Sequence, residues 1–344
     1  MKKSSKSKNL SKDYAVNDQI ILGDSITVLK SFPDDCVHAI ISDIPYGICF
    51  DDWDILHNNT NTALGGASAA QIEAGGVFKR RGKPLNGWSS ADKQIPLEYQ
   101  QWCASWASDW LRVLKPGGSC FIFAGRRYAH RCTVALEDAG FTFKDMLAWE
   151  KTAAPHRAQR VSEIYRRRGF EEGSQKWIGW RVANLRPLFE PILWFQKPYR
   201  TGGTLADNIL EHGVGAWNEA ALLERNGDSA LCLDAPCSNI IRISADRCDR
   251  GLHEAQKPLK LMECLVSLVT VENAVVLDPF AGSGTTCLAA KNLGRGYIGI
   301  EINEKYAEIA SDRLSGASLP SPVAKEAQPH DQPLFDPMEV LGGG

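Results

Sequence analysis

The sequence predicts an α/β fold built on a doubly wound, mostly parallel sheet. Short apolar runs rich in Val and Ile alternate with stretches of helical periodicity along most of the chain, the pattern of successive β-α-β units. Two of those runs end in loops of distinctive composition. One is Ser42-Asp43-Ile44-Pro45-Tyr46-Gly47 near the start, and the other is Asp278-Pro279-Phe280-Ala281-Gly282-Ser283-Gly284-Thr285-Thr286 near the end. In an open parallel sheet ligands collect at the carboxyl ends of strands, so both loops stand where a site belongs. The 344 residues suffice for one large domain with insertions or for two domains.

Gln19 to Leu22 reads as a short strand ending at Gly23-Asp24-Ser25, and Ile26 to Phe32 as a helix stopped by Pro33. Val37 to Ile41 is β-branched and apolar, a buried strand running into Asp43. Residues 51–96 lack periodicity and are rich in Asn, Gly and Ser around a basic knot, Lys79-Arg80-Arg81-Gly82-Lys83; a loop this long is functional or disordered. Tyr99 to Leu114 has the pattern of an amphipathic helix, ended by Lys115-Pro116-Gly117-Gly118. Ser119 to Phe123 is the next strand, Tyr128 to Ala139 a helix closed by Gly140, and Phe141 to Trp149 and Pro191 to Phe195 two further strands. Residues 200–250 read as irregular. Pro258 to Val271 is a strong amphipathic helix and Ala274 to Leu277 a buried strand. Thr285 to Leu293 is a helix stopped by Gly294, Gly296 to Ile300 a strand ending on Glu301, and Glu304 to Leu314 the last helix. Both ends, 1–17 (basic) and 315–344 (rich in Pro, Ser and Gly), read as disordered.

Apolar residues make up 44% of the chain and charged residues 23%, ordinary values for a globular protein. No apolar stretch is long enough to span a bilayer, and the basic start carries no apolar signal core, so the expected place is the cytoplasm. Ten cysteines without a C-x-x-C pair argue for reduced, mostly buried thiols. Cys232, Cys237, Cys248 and His253 are loosely zinc-like, but their spacing is not that of common structural sites, and no metal is expected. The net charge of −2 hides an uneven distribution: residues 151–200 hold 11 Lys and Arg against 4 Asp and Glu, net +7, and the rest of the chain is −9. Within that stretch Arg157, Arg160, Arg166, Arg167 and Arg168 interleave with Tyr165, Trp177 and Trp180, an electrostatic footprint for phosphate. The bland alternative is a solvated helix face.

Gly282 and Gly284 follow a buried strand and precede a helix. They allow a tight turn and a close approach of ligand to backbone, and the helix start offers unpaired N–H donors. Glu301 ends the next strand about 20 residues on, where a carboxylate can accept from ribose hydroxyls. No Lys stands before Thr285 or Thr286, which excludes a phosphate-cradling NTPase loop.

Asp278 to Thr286, followed by Gly294 to Glu301, resembles the S-adenosylmethionine (AdoMet) half of the amino-group DNA methyltransferases. His253-Glu254-Ala255-Gln256-Lys257-Pro258 resembles the segment preceding that half, and Gly23-Asp24 the segment whose acid reaches the adenine end of AdoMet. Ser42 to Gly47 resembles the catalytic Asp-Pro-Pro-Tyr loop, with Ile44 where Pro is usual; the carbonyl survives that change. The order, catalytic loop first and AdoMet loop last, resembles the β group of the family. The resemblance covers roughly residues 18–50, 98–150, 187–198 and 252–314.

The resemblance implies a Rossmann-like AdoMet-dependent methyltransferase fold with inserted target-recognition segments. It divides the chain into a basic arm (1–17), a catalytic half (18–150, with a basic insertion at 51–97) and a target-recognition region (151–251, with a core strand in 187–198). An AdoMet-binding half (252–314) and a tail (315–344) complete it. It implies methylation of the N6 amine of adenine in double-stranded DNA by base flipping, with cytosine N4 as the second reading and a catalytically impaired DNA-binding protein as the third.

The exocyclic amine of a base is a poor nucleophile because its lone pair is delocalised into the ring. Two acceptors holding its hydrogens favour a pyramidal nitrogen. Asp43 supplies a carboxylate and the backbone of Ile44 a carbonyl, while Pro45 stiffens the turn and Tyr46 offers a face for stacking on a flipped base. The expected cofactor-binding residues are Asp24, Lys257, Asp278, Phe280, Gly282, Ser283, Gly284, Thr285 and Glu301. The expected DNA contacts are Lys79, Arg80, Arg81, Arg157, Arg160, Arg166, Arg167 and Arg168. A separate restriction endonuclease, a second copy of the chain, and a sliding clamp docked by Gln332-Pro333-Leu334-Phe335 are the further partners the sequence suggests.

Overall fold

Described in the computed structural model are residues 18–46, 90–151, 158–182, 184–223, 237–244 and 256–316. The basic knot with Lys79, Arg80 and Arg81, together with Arg157, Gly47, Cys232, Cys248, His253 and the Gln332 to Phe335 motif, lies outside the described residues.

The first part of the chain forms strand β1 (Gln19–Leu22), helix α1 (Ser25–Leu29), β2 (Val37–Asp43), α2 (Ser90–Val113), β3 (Leu114–Phe123), α3 (Ala129–Asp138) and β4 (Thr142–Glu150). Two short helices follow, α4 (Val161–Arg167) and α5 (Glu171–Lys176), and then β5 (Phe189–Gln196). Next come α6 (Leu205–His212), α7 (Ala220–Leu223) and β6 (Ile240–Arg242). The last part is α8 (Leu259–Val269), β7 (Val275–Asp278), α9 (Thr285–Asn292), β8 (Gly296–Glu301) and α10 (Glu304–Ser315).

The strands make one eight-stranded sheet in the order β1-β8-β7-β2-β3-β5-β4-β6. All neighbouring pairs are parallel except those of β5, which runs antiparallel to both β3 and β4. Helices cover both faces, which is why the central strands are apolar on both sides rather than alternating. Ile40 of β2 packs into a core with Leu29 of α1, Tyr99, Trp106 and Trp110 of α2, and Cys132 and Leu136 of α3. Ala39 and Ile41 of the same strand face the opposite core, with Ala221 of α7, Leu261, Leu265 and Leu268 of α8, Cys287 of α9 and Leu314 of α10. The expected doubly wound, mostly parallel fold is therefore the one observed.

Three local expectations need correction. Helix α2 begins at Ser90, not Tyr99, and runs through Pro96. Proline forfeits a helix hydrogen bond, but buried Ile95 anchors that early turn in the core. The Lys115 to Gly118 segment does not separate helix from strand, because β3 begins at Leu114 directly after α2. The β2/β3 register jumps from Val37–Leu114 to Ala39–Ser119, so those residues are an excursion within the strand, with Gly117 at a φ of +78°. Residues 200–250 are not wholly irregular: they contain α6, whose Thr204 and Asp207 form a reciprocal cap, then α7, and β6, which closes one edge of the sheet beside β4.

Candidate active site

The parallel pairing of β2 with β7 brings the two loop motifs together. Ala39 lies beside Val276 and Ile40 beside Leu277, so both strands end at the same edge. There the Ser42 hydroxyl donates to Asp278 Oδ1 at 2.6 Å. The backbone N–H of Phe280 donates to the same oxygen at 3.2 Å. Burial pushes the Asp278 carboxyl up to about 6, against the pull of these donors.

Next along the edge, β8 ends on Glu301. Its Oε2 accepts from the Gly282 N–H and its Oε1 from the Asn303 N–H, each at 2.8 Å, so the acid is tied to the glycine loop. Gly282 and Gly284 have φ of +52° and +74°, and a Cβ on Gly284 would stand 2.9 Å from the Cβ of Ala310 in α10. Both the turn and the close helix contact thus require glycine. Arg313 of α10 donates to the Ser283 carbonyl at 3.1 Å and to the Thr285 hydroxyl at 2.9 Å, fixing the loop from outside. Beyond β8, Asp24 caps α1, accepting from the Ile26 N–H and from the Thr27 hydroxyl.

These strand ends border a cleft of about 440 Å³, within the range of roughly 300–1,000 Å³ usual for small-molecule sites. Its wall runs from Asp24 and Glu301 through Asp278 to Thr285, except for Gly284, and reaches Asp43, Pro45 and Lys257. Trp102 adds an aromatic wall that sequence reasoning missed: its ring lies 5.7 Å from that of Phe280, with Trp106 and Trp110 behind. Of the five charged side chains that line the cleft among the described residues, Asp24, Asp43, Asp278 and Glu301 are acids and Lys257 is the one cation. That balance suits a small cationic ligand carrying hydroxyls and repels a polyphosphate.

The catalytic-loop residues are held from several sides. Ile44 is fully buried in the core, and the Tyr99 hydroxyl donates to the Pro45 carbonyl at 3.1 Å. An apolar anchor thus supplies stiffness at the position where Ile replaces the family's Pro. Lys257, expected among the cofactor residues, does line the cleft, and its ammonium binds the Asp43 to Tyr46 loop. It donates to Asp43 Oδ2 at 2.5 Å, to the Tyr46 oxygen at 3.1 Å, and lies 3.2 Å from Glu190 Oε1. The Tyr46 hydroxyl reaches Asp43 Oδ1 at 3.0 Å and also Glu190 Oε1. Lys151, at the sheet edge of the group, pairs with Glu190 Oε2 at 2.5 Å.

Two acids and two lysines thus form one ion-paired cluster, in which Glu190 and Lys257 are buried and Asp43 and Lys151 partly so. Burial raises the Asp43 carboxyl to about 6, opposed by Lys257. Burial alone would raise Glu190 too, but Lys257 and Lys151 together bring it down to about 2. The acid with two ammonium partners ionises more easily than the acid with one. Glu190 was not anticipated, and its signal was a lone acid inside the otherwise apolar run Phe189-Glu190-Pro191-Ile192.

Among its described residues, the basic segment does not line this cleft. Helices α4 and α5 form a small unit between β4 and β5 that buries Gly173 and Ser174 and exposes Trp180 (62%) and Leu185 (88%). Trp177 and Trp180 meet edge to face at 5.2 Å, and Arg160 bridges by its backbone to Arg181. Arg166 is paired with Glu163, while Arg167 and Arg168 lie exposed at the end of α4.

Residues 37–312 match the N6_N4_Mtase family model, described as DNA methylase. Type II methyltransferase M.HindIII of Haemophilus influenzae is 60% identical over 297 residues, covering 86% of this chain and 95% of that protein. Type II methyltransferase M.HinfI of Haemophilus influenzae is 25% identical over 299 residues, covering 86% and 67%. Among solved structures, PvuII DNA methyltransferase (cytosine-N4-specific) aligns with a TM-score of 0.53 at 16% identity, over 87% of this chain and 90% of that one. TTHA0409 of Thermus thermophilus, complexed with S-adenosyl-L-methionine, aligns with a TM-score of 0.51 at 21% identity, over 87% and 93%. At these identities the structural likeness concerns the fold.

Replacing Lys257 by Gln removes the cation that lowers the Asp43 carboxyl, so its pKa moves upward from about 6. Carbonyl-¹³C NMR of Asp-labelled protein titrated with acid checks this; a downward move would mean that Lys257 does not govern the carboxylate.

Proposed function

The chain belongs to the amino-group DNA methyltransferases, the N6/N4 family of AdoMet-dependent DNA methylases, and within that family we propose that it methylates the N6 amine of adenine at a specific site in duplex DNA. The observation that carries this reading is the shared cleft, in which Asp43 stands at one end of the space bordered by the glycine loop and Glu301. The resemblance of the catalytic loop supports adenine, since an Asp at its first position goes more often with that base.

The cleft suits the cofactor. AdoMet supplies, when bound, a methyl group on a cationic sulfur whose departure leaves a neutral thioether. Four acids against one lysine favour that positive charge. Glu301 would hold ribose hydroxyls through the lone pairs that Gly282 and Asn303 leave unused, and Asp24 would reach the adenine end. Phe280 and Trp102 would supply ring faces, and Asp278, Ser283 and Thr285 would line the methionine end.

The target base must leave the duplex stack to reach this depth. Tyr46 stacks on it. Asp43 and the Ile44 carbonyl accept the two amine hydrogens; the Pro45 carbonyl is already taken by Tyr99. Once the methyl group joins the nitrogen as a fourth substituent the nitrogen is cationic and one of its hydrogens must leave as a proton, and the Asp43 carboxylate is the base within reach. With its pKa near 6 it is ionised at neutral pH and free to accept.

The α4–α5 unit is the DNA-reading element in this proposal, within the recognition region 151–251. Arg160, Arg166, Arg167 and Arg168 touch phosphate or base edges, and the exposed aromatics pack on the duplex. Arg157 and the knot with Lys79, Arg80 and Arg81 would extend the same surface. The 60% identity to a Type II methyltransferase supports a modification role beside a separate restriction endonuclease, in the cytoplasm where chromosomal DNA lies.

Mass spectrometry of nucleosides from mixed-sequence duplex DNA incubated with isotope-labelled AdoMet should find labelled N6-methyladenine. Labelled N4-methylcytosine would overturn the base assignment, and an absence of label the catalytic one. Asp43→Ala should abolish transfer while calorimetry still detects AdoMet binding, and wild-type kcat/KM should rise with pH through about 6 as Asp43 ionises. Glu301→Ala should raise the AdoMet Kd roughly tenfold or more, the scale of lost hydrogen bonds to a charged group; unchanged affinity removes Glu301 from the cofactor site. Neutralising Arg167 and Arg168 to Gln should weaken DNA binding and reduce its log–log salt slope by about 1–2. An unchanged slope would leave these arginines on a solvated face.

A further inference from the structure

We propose that Glu190 is a positioning residue for methyl transfer: by taking the hydrogen of the Tyr46 hydroxyl, it leaves Asp43 Oδ1 open to a hydrogen of the target amine. The inference rests on the reading of Asp43 as the amine's acceptor.

A phenol carries one hydrogen to donate. Two carboxylate oxygens compete for the one on Tyr46, Asp43 Oδ1 at 3.0 Å and Glu190 Oε1, which is nearer. Lys257 donates to the phenol oxygen at 3.1 Å and so turns the hydroxyl hydrogen toward the acids. If Asp43 received that hydrogen, each of its oxygens would already hold a donor, since Lys257 is on Oδ2 at 2.5 Å, and the amine would have to share Oδ1 with the phenol. With Glu190 receiving it, the allocation is complete: Oδ2 serves Lys257, Oδ1 serves the substrate, and Oε2 of Glu190 serves Lys151.

Every charged group facing this cluster supports the same division. Lys151 from the end of β4 and Lys257 from the segment before α8 both stabilise Glu190 as an anion, so it remains an acceptor throughout the working pH range. Burial raises the Asp43 carboxyl and the Glu190 charge from β5 raises it further, which makes Asp43 the more basic of the pair and the better acceptor for an amine hydrogen. The arrangement also fixes the ring that is to stack on the base. Glu190 holds its hydroxyl end, and Gly125 closes on its other end, where an added Cβ would stand 2.9 Å from the Tyr46 Cβ.

The test is a double-mutant cycle on the full chain, read as single-turnover methylation of plasmid duplex DNA, with AdoMet Kd and Tm measured on each protein. A neutral amide accepts more weakly than a carboxylate, so Glu190→Gln lets the hydroxyl return to Asp43. We expect Glu190→Gln to slow transfer roughly tenfold, the scale of one charge-assisted hydrogen bond, without changing the AdoMet Kd by more than about twofold. In a Tyr46→Phe background, where no hydroxyl can block Asp43, the same change should cost less than about twofold. Glu190→Asp, which keeps the charge but withdraws the acid, should show the same dependence on the hydroxyl and covers the case in which Glu190→Gln does not fold.

An equal cost in both backgrounds would overturn the proposal, as would no cost at all. So would a Tyr46→Phe protein that binds AdoMet but transfers nothing, because the hydroxyl would then be required. Asp43→Ala in the same assay separates the two levels: retained transfer refutes the underlying reading, whereas lost transfer with an additive cycle refutes the Glu190 role alone.

Discussion

Strands β2 and β7 lie side by side in the middle of the sheet, and everything functional in this chain depends on that pairing. Ser42 and Asp278, joined by a 2.6 Å hydrogen bond, are 236 residues apart in sequence. Closing so long a loop costs entropy, but the cost grows slowly with length, and two strands buried on both faces recover it through the cores on either side. The pairing places the Asp43-Ile44-Pro45-Tyr46 loop against a glycine loop at one sheet edge. It also lies where the connections diverge, toward β8 and β1 on one side and β3 on the other, the position at which open α/β sheets take their ligands.

The second organising constraint is charge balance under burial. As an anion Asp43 is a strong acceptor, yet burial disfavours its charge. Lys257 supplies the compensation and shares it with Glu190, which Lys151 also pairs. The reversed strand β5 carries Glu190 into this group from the far side of β3. Removing any one member leaves an uncompensated buried charge, so substitutions here should act together rather than independently.

The α4–α5 unit follows a different logic. Helices α4 and α5 bury almost nothing of their own, and their arginines are exposed, as are Trp180 and Leu185 of the same segment. A surface with so much exposed apolar and aromatic area gains by covering it. Its attachment between β4 and β5 connects it in sequence to both Lys151 and Glu190. What binds there is thus covalently close to the residues that condition Asp43.

Much of this was legible in the sequence. The alternation of apolar runs and helical stretches specified the doubly wound sheet, because strands buried on both faces must be apolar throughout. The loop motifs specified their chemistry, because glycines at positive φ, an acid ending the next strand, and an acid beside Pro and Tyr are local requirements. Helix α2 was read short, from Tyr99 instead of Ser90, and β6 was not seen at all, because three residues carry no period and only their pairing with β4 makes them a strand. Lys257 was read as a cofactor residue because its neighbours in sequence suggested it, and Glu190, one residue ahead of the strand read from Pro191, was not singled out. By itself, then, the sequence determined the fold class and the chemical types at the two loops, since both follow from local pattern. Which charges meet Asp43 was decided by the tertiary structure alone, because periodicity reports which face a side chain takes and never which distant strand will stand beside it.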